Sequence, residues 1–161
     1  MKKILFFAVP VLLSLSFTER NTDQCDCSYS ISSMEEALKA PEIVTCLDLG
    51  MQKLKVVPAD IAKLVNLQCL DLSFNQISTL PESIATLSKL KYINLDGTRY
   101  MAKLPAVLAK IPSLKRVDIK DHPEWSVATK DAAVKLLPNV QVVLEEEVNK
   151  EIDIIIPGAS K

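Results

Sequence analysis

The sequence is poor in residues that many functional sites require. It contains three glycines and one histidine among 161 residues, and its 19 basic side chains do not outnumber its 20 acidic ones. Glycine-rich loops that hold phosphates are therefore not expected, because they need several glycines close together. A nucleic-acid-binding surface is not expected either, since such surfaces carry a basic excess.

Catalytic motifs are missing as well. The sequence has no GxSxG, HExxH or phosphate-loop pattern. A serine or cysteine nucleophile needs a base beside it, and His122 is the single histidine on offer. The Cys-x-Cys pair at Cys25 and Cys27 does not have zinc-site spacing. We therefore expect a protein that is not an enzyme, with no cofactor and no metal site.

The N-terminus has the pattern of an export signal. Lys2 and Lys3 are followed by an apolar run from Ile4 to Phe17, and Ser14 and Ser16 are small residues preceding a possible cleavage point. This order of charge, apolar core and small residues is typical of a signal peptide over residues 1–17. The run is short for a membrane span, and the alternative is a buried N-terminal helix. We expect an exported protein (periplasmic, cell-surface or secreted) without a stable membrane span.

The strongest positive feature is an internal repeat. The stretch "LQCLDLSFNQISTLPESIATLSK" starts at residue 67, and similar stretches start at 44, 90, 114 and 140. The starts are therefore spaced by 23, 23, 24 and 26 residues. Self-similarity at a period of this length predicts a solenoid, in which each unit packs on its neighbours.

The residues of one unit indicate how it folds. Leu70 and Leu72 alternate with Asp71, as in a short strand with one apolar face. After a turn, Pro81 opens a segment in which Ile84 and Leu87 are three residues apart, as on one face of a helix whose first turn accepts proline. One unit cannot bury its own leucines, but stacked units can, with their strands forming a parallel sheet.

These units resemble the leucine-rich repeat family, in the form with Leu-Pro before the convex helix. The resemblance covers residues 44–144 and implies an α/β solenoid shaped as an arc, with short parallel strands on its concave face and short helices on its convex face. Residues 18–43 resemble the helical lead-in of bacterial members. There, Ser32 or Ser33 with Glu35 or Glu36 predicts a capping box, and Pro41 ends the helix. Residues 145–161 are expected to form an acidic turn and a capping strand.

The family's asparagine position departs from its pattern in three units. Asn75 fits, but the matching places hold Gln52, Thr98 and His122. We expect all four polar side chains to hydrogen-bond the turns. Trp125 is interpreted as filling the core under the enlarged turn of the fourth unit, and Phe74 as packing in its own turn.

The concave face is the expected binding surface, since the remaining strand positions are committed to the core. It is formed by the outward positions Cys46, Asp48, Gly50, Cys69, Asp71, Ser73, Tyr92, Asn94, Asp96, Arg116, Asp118 and Lys120. We expect another protein as partner, with Tyr92 and Arg116 as exposed anchors whose removal costs little stability. Lys89 and Lys110, on the convex side, are expected to be inert. The alternative is a structural envelope protein that self-associates through an end of the solenoid; the oligomeric state stays open.

Two columns on the concave face allow more than one interpretation. Asp48, Asp71, Asn94 and Asp118 lie in register, which suits a cation site or an acidic docking strip, or carboxylates that are simply solvated; we favour the last. Cys46 and Cys69 also lie in register. Export permits disulfides, but in-register neighbours make a strained pair, so we expect free thiols there.

Overall fold

The structure is a computed structural model that describes residues 29–145. The predicted signal peptide and the predicted capping strand after residue 145 lie outside the described residues, as do Cys25 and Cys27.

One parallel sheet runs through the described residues. Its five strands stand in sequence order, as expected when each repeat contributes one strand to a stack. The strands are β1 (Cys46–Asp48), β2 (Cys69–Asp71), β3 (Tyr92–Asn94), β4 (Arg116–Asp118) and β5 (Gln141–Val143). The first four pair in the register that the repeat predicts, so that Cys46, Cys69, Tyr92 and Arg116 are neighbours. The predicted α/β solenoid of leucine-rich repeats is confirmed.

The register of β5 differs from the sequence spacing by one residue. Gln141 pairs with Arg116, 25 residues earlier, whereas the repeat starts at 114 and 140 predict a spacing of 26. A shift of one residue exchanges the two faces of a strand. The observed register packs Val142 and Leu144 against the core and leaves Gln141 exposed.

The core lies between the sheet and the opposite side of the solenoid. The inward strand positions Leu47, Leu70, Leu72, Ile93 and Leu95 belong to one continuous buried cluster. Leu72 and Leu95 are 0% exposed, which confirms the predicted inward register of the second and third units. Trp125 is also buried, and its Nε1–H donates to the carbonyl of Met101 at 2.7 Å, as a core-filling indole requires.

The convex side carries 3₁₀ helices where short helices were predicted. They span Ala59–Lys63, Glu82–Thr86 and Ala106–Lys110, and each follows a proline, in contrast to the expectation that Pro81 lies in the first turn. Segments of five residues are too short to gain from an α-helical ladder, and 3₁₀ geometry is common at that length. The longer fourth unit instead holds an α-helix, α2, over Val127–Leu136.

The lead-in covers the open end of the first unit. The helix α1 (Met34–Ala37) begins after Ser33, whose Oγ accepts from the amide of Glu36 at 3.4 Å, and this bond confirms the N-cap of the predicted box. Ala37 is fully buried against the core. The sequence did not predict the parallel bridge of Ile31 with Leu47, which extends the sheet beyond β1.

The predicted turn column is confirmed for Asn75, Thr98 and His122, with a different bond in each unit, whereas Gln52 bonds the lead-in. Asn75 donates through Nδ2 to the carbonyls of Leu49, Leu72 and Ser73, and its Oδ1 accepts from the amide of Leu54. The substitutes also bond backbone: Gln52 Nε2 donates to Ser32 O, Thr98 Oγ1 donates to Leu95 O, and His122 Nε2 lies 3.3 Å from Leu95 O. His122 is buried against Trp125, with ring centroids 4.8 Å apart, in accord with a structural role.

The turn after each of the strands β1 to β4 contains a residue with a left-handed backbone conformation, and these residues stack from unit to unit. Met51, Phe74, Gly97 and Asp121 occupy equivalent positions with φ between 54° and 64°. Only one of the four is glycine, the residue that adopts this conformation without cost. Phe74 is 48% exposed, and its ring lies over the next unit, where a Cβ added to Gly97 would be 2.6 Å from Phe74 Cδ1.

Candidate protein-binding face

The strand register brings the predicted concave-face residues together in columns. Asp48, Asp71, Asn94 and Asp118 form one column, and the disulfide-bonded Cys46 and Cys69 continue into Tyr92 and Arg116 in another. Backbone bonds between the third positions, such as Met51 N to Ser73 O and Phe74 N to Asp96 O, align Gly50, Ser73, Asp96 and Lys120. The predicted candidates therefore share one surface.

The sequence reasoning missed two residues of this face. Gln141 continues the Tyr92 and Arg116 column on β5, and Ser30 flanks β1 on the other side. The repeat start at 140 placed Gln141 in the fifth unit. Because the register of β5 is shifted by one residue from that start, the spacing did not show that the Gln141 side chain points outward. Ser30 carries no repeat signal, since the lead-in is not a repeat.

The acidic column of the first units has a backbone-capping role. Asp48 Oδ1 accepts from the amide of Gly50 at 2.9 Å, and Asp71 Oδ1 accepts from the amide of Ser73 at 2.7 Å. Asn94 repeats this bond to the amide of Asp96 at 3.0 Å. Each side chain satisfies an amide beyond the strand end. The side chains of this column are therefore bonded to the backbone rather than simply solvated, although Asp48 is exposed. The cation-site and docking-strip interpretations stay predictions.

Asp118 breaks the pattern in the fourth unit. Its carboxylate is buried and accepts from Arg116 Nε at 2.7 Å, from Arg116 Nη2 at 3.1 Å and from the Tyr92 hydroxyl at 3.0 Å. The amide of Lys120, which Asp118 would cap by analogy, instead donates to Asp96 Oδ1 at 2.6 Å. A two-pronged guanidinium–carboxylate contact of this kind fixes both side chains.

Burial and charge shift the ionisation of two groups in this network. Burial, reinforced by the charge and the hydrogen bond of Asp118, holds the pKa of Tyr92 well above its ordinary value. Burial also raises the pKa of Asp96, although the backbone bond from Lys120 and the Lys120 charge oppose that shift. Tyr92 therefore keeps its proton and acts as a donor to Asp118.

The expectation of exposed anchors at Tyr92 and Arg116 is wrong. Both side chains are partly buried, and both serve as partners of a carboxylate that is itself buried. The outward direction of a strand residue was taken as exposure, but long side chains on neighbouring strands can bond one another and cover each other. These residues remain on the concave face, yet they also support the fold.

The two halves of the concave face differ in their ion pairs. Asp96 pairs with Lys120 at 3.7 Å, and Asp118 pairs with Arg116. Among residues 29–145, neither Asp48 nor Asp71 takes part in an ion pair. Beside them lies an open groove of about 220 Å³. Its lining includes Ser30, Asp48, Cys69, Asp71 and Tyr92.

The expectation of free thiols on this face is also wrong. Cys46 and Cys69 are both disulfide-bonded. Thiols were expected because a bond between in-register neighbours is strained, although the four cysteines of the chain allow three full pairings.

Two other kinds of feature, a metal-ligand cluster and a membrane-spanning helix, are absent from the described part of the chain. Between residues 29 and 145, no group of three or more His, Cys, Asp or Glu side chains is arranged to hold a metal ion. Over the same residues, no helix has the length and apolar character needed to cross a bilayer.

Comparison with known proteins agrees with the repeat. Residues 44–99 match the family model described as leucine rich repeat. A solved plant peptide hormone receptor, RGFR1 in complex with RGF2, is 22% identical over 63% of this chain and 16% of its own, with a TM-score of 0.46. A leucine-rich repeat protein of Leptospira interrogans is 20% identical over 73% of this chain and 47% of its own, with a TM-score of 0.29. No curated protein gave a match.

Proposed function

The chain is a leucine-rich repeat protein, and we propose that it is an exported, non-enzymatic module that binds another protein through its concave face. The observation that carries this proposal is the in-register array of polar side chains across neighbouring strands. Such an array is a continuous surface wide enough for a folded partner or an extended segment. The chain spans less than half the length of either structural neighbour, so their own partners are not transferred to it.

Rigidity of the face supports this proposal. Tyr92, Arg116 and Asp118 hold one another by three hydrogen bonds, and Asn94 Nδ2 donates to Asp71 Oδ2 at 2.9 Å. Side chains that are already ordered lose little conformational entropy on binding, which favours affinity. Tyrosine and arginine are also the residue types most often found at the centres of protein interfaces.

The test begins with partner capture, by crosslinking and pull-down from the native envelope or medium with the oxidised protein as bait. Gln141→Arg then adds a bulky charge on the exposed side of β5 without altering its backbone bonds, and Ser88→Arg is the matched control on the exposed convex side. We expect Gln141→Arg to weaken binding at least tenfold and Ser88→Arg to leave it unchanged. The opposite result would place the binding site on the convex side and reject the proposal.

Export has its own test. The lysine pair and apolar run at the N-terminus motivate it, and a signal peptidase would remove roughly the first 16 to 24 residues. Intact-mass measurement of secreted material should show that loss. Recovery of full-length protein in the cytosol would reject export while leaving the binding proposal open.

The solenoid end at β5 favours a second candidate, self-association. The outer edge of β5 pairs with no strand of the described residues, and Val142 and Leu144 there are only partly buried. If a second copy, rather than the predicted capping strand of residues 145–161, pairs with this edge, the chain self-associates. Light scattering over a hundredfold range of concentration should show a rising mass if this candidate is correct, and a constant monomer mass if it is not.

A further inference from the structure

Two exposed apolar side chains, called the apolar pair below, lie side by side at the rim of the concave face. Met51 and Phe74 occupy equivalent turn positions in the first two units, and neighbouring strands of a sheet are about 4.8 Å apart. Met51 is 74% exposed and Phe74 is 48% exposed. Neither belongs to the core cluster or to the apolar side chains packed against it. Burial in the core therefore does not explain why these positions are apolar.

The backbone conformation does not favour the apolar pair either. Met51 has φ of 59° and Phe74 has φ of 54°, a left-handed conformation that is an outlier for bulky residues. The same position holds Gly97 in the third unit and Asp121 in the fourth, and both residue types adopt this conformation more readily. Strained residues of this kind cluster at functional sites. A binding role would explain why the first two units keep them.

The ring of Phe74 is held in place by the third unit. A Cβ added to Gly97 would lie 2.6 Å from Phe74 Cδ1 and 2.7 Å from Phe74 Cε1, so the ring lies directly on the glycine backbone. The amide of Phe74 also donates to the carbonyl of Asp96, in the same unit, at 2.7 Å. A ring that is already ordered, with about half of its surface open, loses little conformational entropy when an apolar group packs on it.

Negative charge lies directly beside the apolar pair. Gly50 precedes Met51, and a Cβ added to Gly50 would be 3.2 Å from Asp48 Oδ1 and 3.4 Å from Asp71 Oδ1. Both carboxylates therefore converge on the backbone next to the pair, with no side chain between them and solvent at Gly50. Within residues 29–145 neither carboxylate takes part in an ion pair, whereas the concave-face aspartates of the third and fourth units both do.

We propose that Met51, Phe74, Asp48 and Asp71 form a docking patch for a segment of a partner protein that carries a basic residue beside a large apolar one. The apolar side chain of the segment packs on the Phe74 ring and on Met51. Its ammonium or guanidinium group lies against the two carboxylates, whose charge selects a basic segment over an acidic one. Because the docking patch rests on the proposed concave-face function, it specifies which end of that face the partner contacts and which side chains the partner presents.

The substitution Phe74→Asn separates a binding role from a structural one. Asparagine adopts the left-handed conformation more readily than phenylalanine, so the relief of strain offsets the lost contact with Gly97. We expect the urea midpoint of Phe74→Asn to equal or exceed that of the native protein. A clearly lower midpoint would show that Phe74 is kept for packing and would overturn the docking patch.

A random dodecapeptide library displayed on phage, panned on the full oxidised protein, supplies the probe for binding. We expect the enriched peptides to carry Lys or Arg beside an aromatic or large aliphatic residue. The synthetic consensus peptide should bind Phe74→Asn about tenfold more weakly than the native protein. Asp48→Asn should also bind it more weakly, because asparagine can keep the bond to the Gly50 amide but not the charge. Asp121→Asn, at the equivalent exposed position of the fourth unit, is the matched control and should bind like the native protein.

Three further results would overturn the docking patch. One is the enrichment of acidic peptides, or of none. Another is a loss of affinity for Phe74→Asn no greater than that for Asp121→Asn. The third is a mass in light scattering that rises with concentration for the native protein but not for Phe74→Asn, which would show that the patch binds a second copy. The library requires no native partner, so these failures leave the concave-face function to the Gln141→Arg test, and a failed pull-down leaves the docking patch standing.

Discussion

The first two repeats and the following two share a backbone but differ in their concave polar layer. In the first pair, Asp48 and Asp71 each cap an amide two residues on, and neither pairs with a cation among the described residues. In the second pair, Asn94 keeps that role, but Asp118 leaves it and takes Arg116 and Tyr92 as partners. The strands nevertheless stay in register from β1 to β4.

This difference shows that the fold depends on the inward side chains, while the outward ones can be rearranged. Leu72 and Leu95 sit at equivalent buried positions on either side of the division. From the third repeat to the fourth, the outward partner changes from a backbone amide, at Asn94, to side chains, at Asp118, without moving the backbone pairing. A repeat protein can therefore alter its outward polar face while keeping its core.

The largest expected loss of stability comes from the leucine core, which the two pairs of repeats have in common. Leu72→Ala and Leu95→Ala should each lower the free energy of unfolding by about 2–5 kcal/mol, because each removes a fully buried side chain. Urea unfolding measures both, with Ser88→Ala as the exposed control. Costs that differ between the two leucines by more than about 2 kcal/mol would show that the cores are not equivalent.

Substitutions of the polar turn residues Asn75 and Thr98 should differ more in their stability losses than the two leucine substitutions do. Asn75→Leu removes the donor for three carbonyls and the acceptor for the Leu54 amide, so we expect a loss of about 2–3 kcal/mol. Thr98→Val in the next unit removes a single buried hydroxyl bond to Leu95 O and should cost about 1 kcal/mol. Equal costs in urea unfolding would mean that the asparagine bonds are not what holds its turn.

The ion pair of Arg116 with Asp118 should give the next smaller loss of stability. Arg116→Ala strips the buried Asp118 of its cation, and we expect a loss of about 1–2 kcal/mol, since Arg116 itself is 26% exposed and partly screened. Asp118→Asn in the Arg116→Ala background should recover part of that loss, because no buried charge then remains unpaired.

The control for this prediction comes from exposed pairs. Lys110→Ala breaks an ion pair with Glu82 on the convex side, where both side chains are more than half exposed, and should change stability by less than about 0.5 kcal/mol. A loss of that small size for Arg116→Ala too would indicate that the Asp118 network does not stabilise the fold.

The smallest effect appears only at alkaline pH. Burial and Asp118 raise the pKa of Tyr92, so the unfolded chain loses this proton first as the pH rises above about 10. The folded state binds more protons there, and its stability should therefore fall with pH in the native protein but less in Tyr92→Phe. Subtracting the 295 nm titration of Tyr92→Phe should show no Tyr92 phenolate near pH 10 in the folded state. A Tyr92 signal at that pH would contradict the hydrogen bond to Asp118.

The places of the residues at repeat positions could be predicted because burial recurs at regular intervals along the chain. Leucines at fixed intervals must face a shared core, and this fixed the sheet, the register of four strands and the members of the concave columns. These features depend on spacing along the chain, which a single sequence contains. The role of Asn75 came instead from the resemblance to leucine-rich repeats, in which an asparagine at this place bonds the turn.

The features that could not be predicted depend on which neighbouring groups pack or bond with one another in the folded chain. Asp118 had several donors within reach, and only the arrangement of side chains selects Arg116 and Tyr92 over the Lys120 amide. The 3₁₀ form of Glu82–Thr86 follows from packing a very short segment. The register of β5 followed from burying Val142 and Leu144, a preference that outweighed the apparent repeat start.

The pairing of each strand only with its predecessor and successor makes the molecule a linear chain of coupled units. Residues bonded across the sheet are 23 to 25 positions apart, from Cys46 with Cys69 to Arg116 with Gln141. In a one-dimensional model of such a stack, opening an end unit breaks one interface and opening an inner unit breaks two. Amide exchange should therefore advance inward from β5, while β2 and β3 exchange last, so that local stability is graded along the solenoid axis.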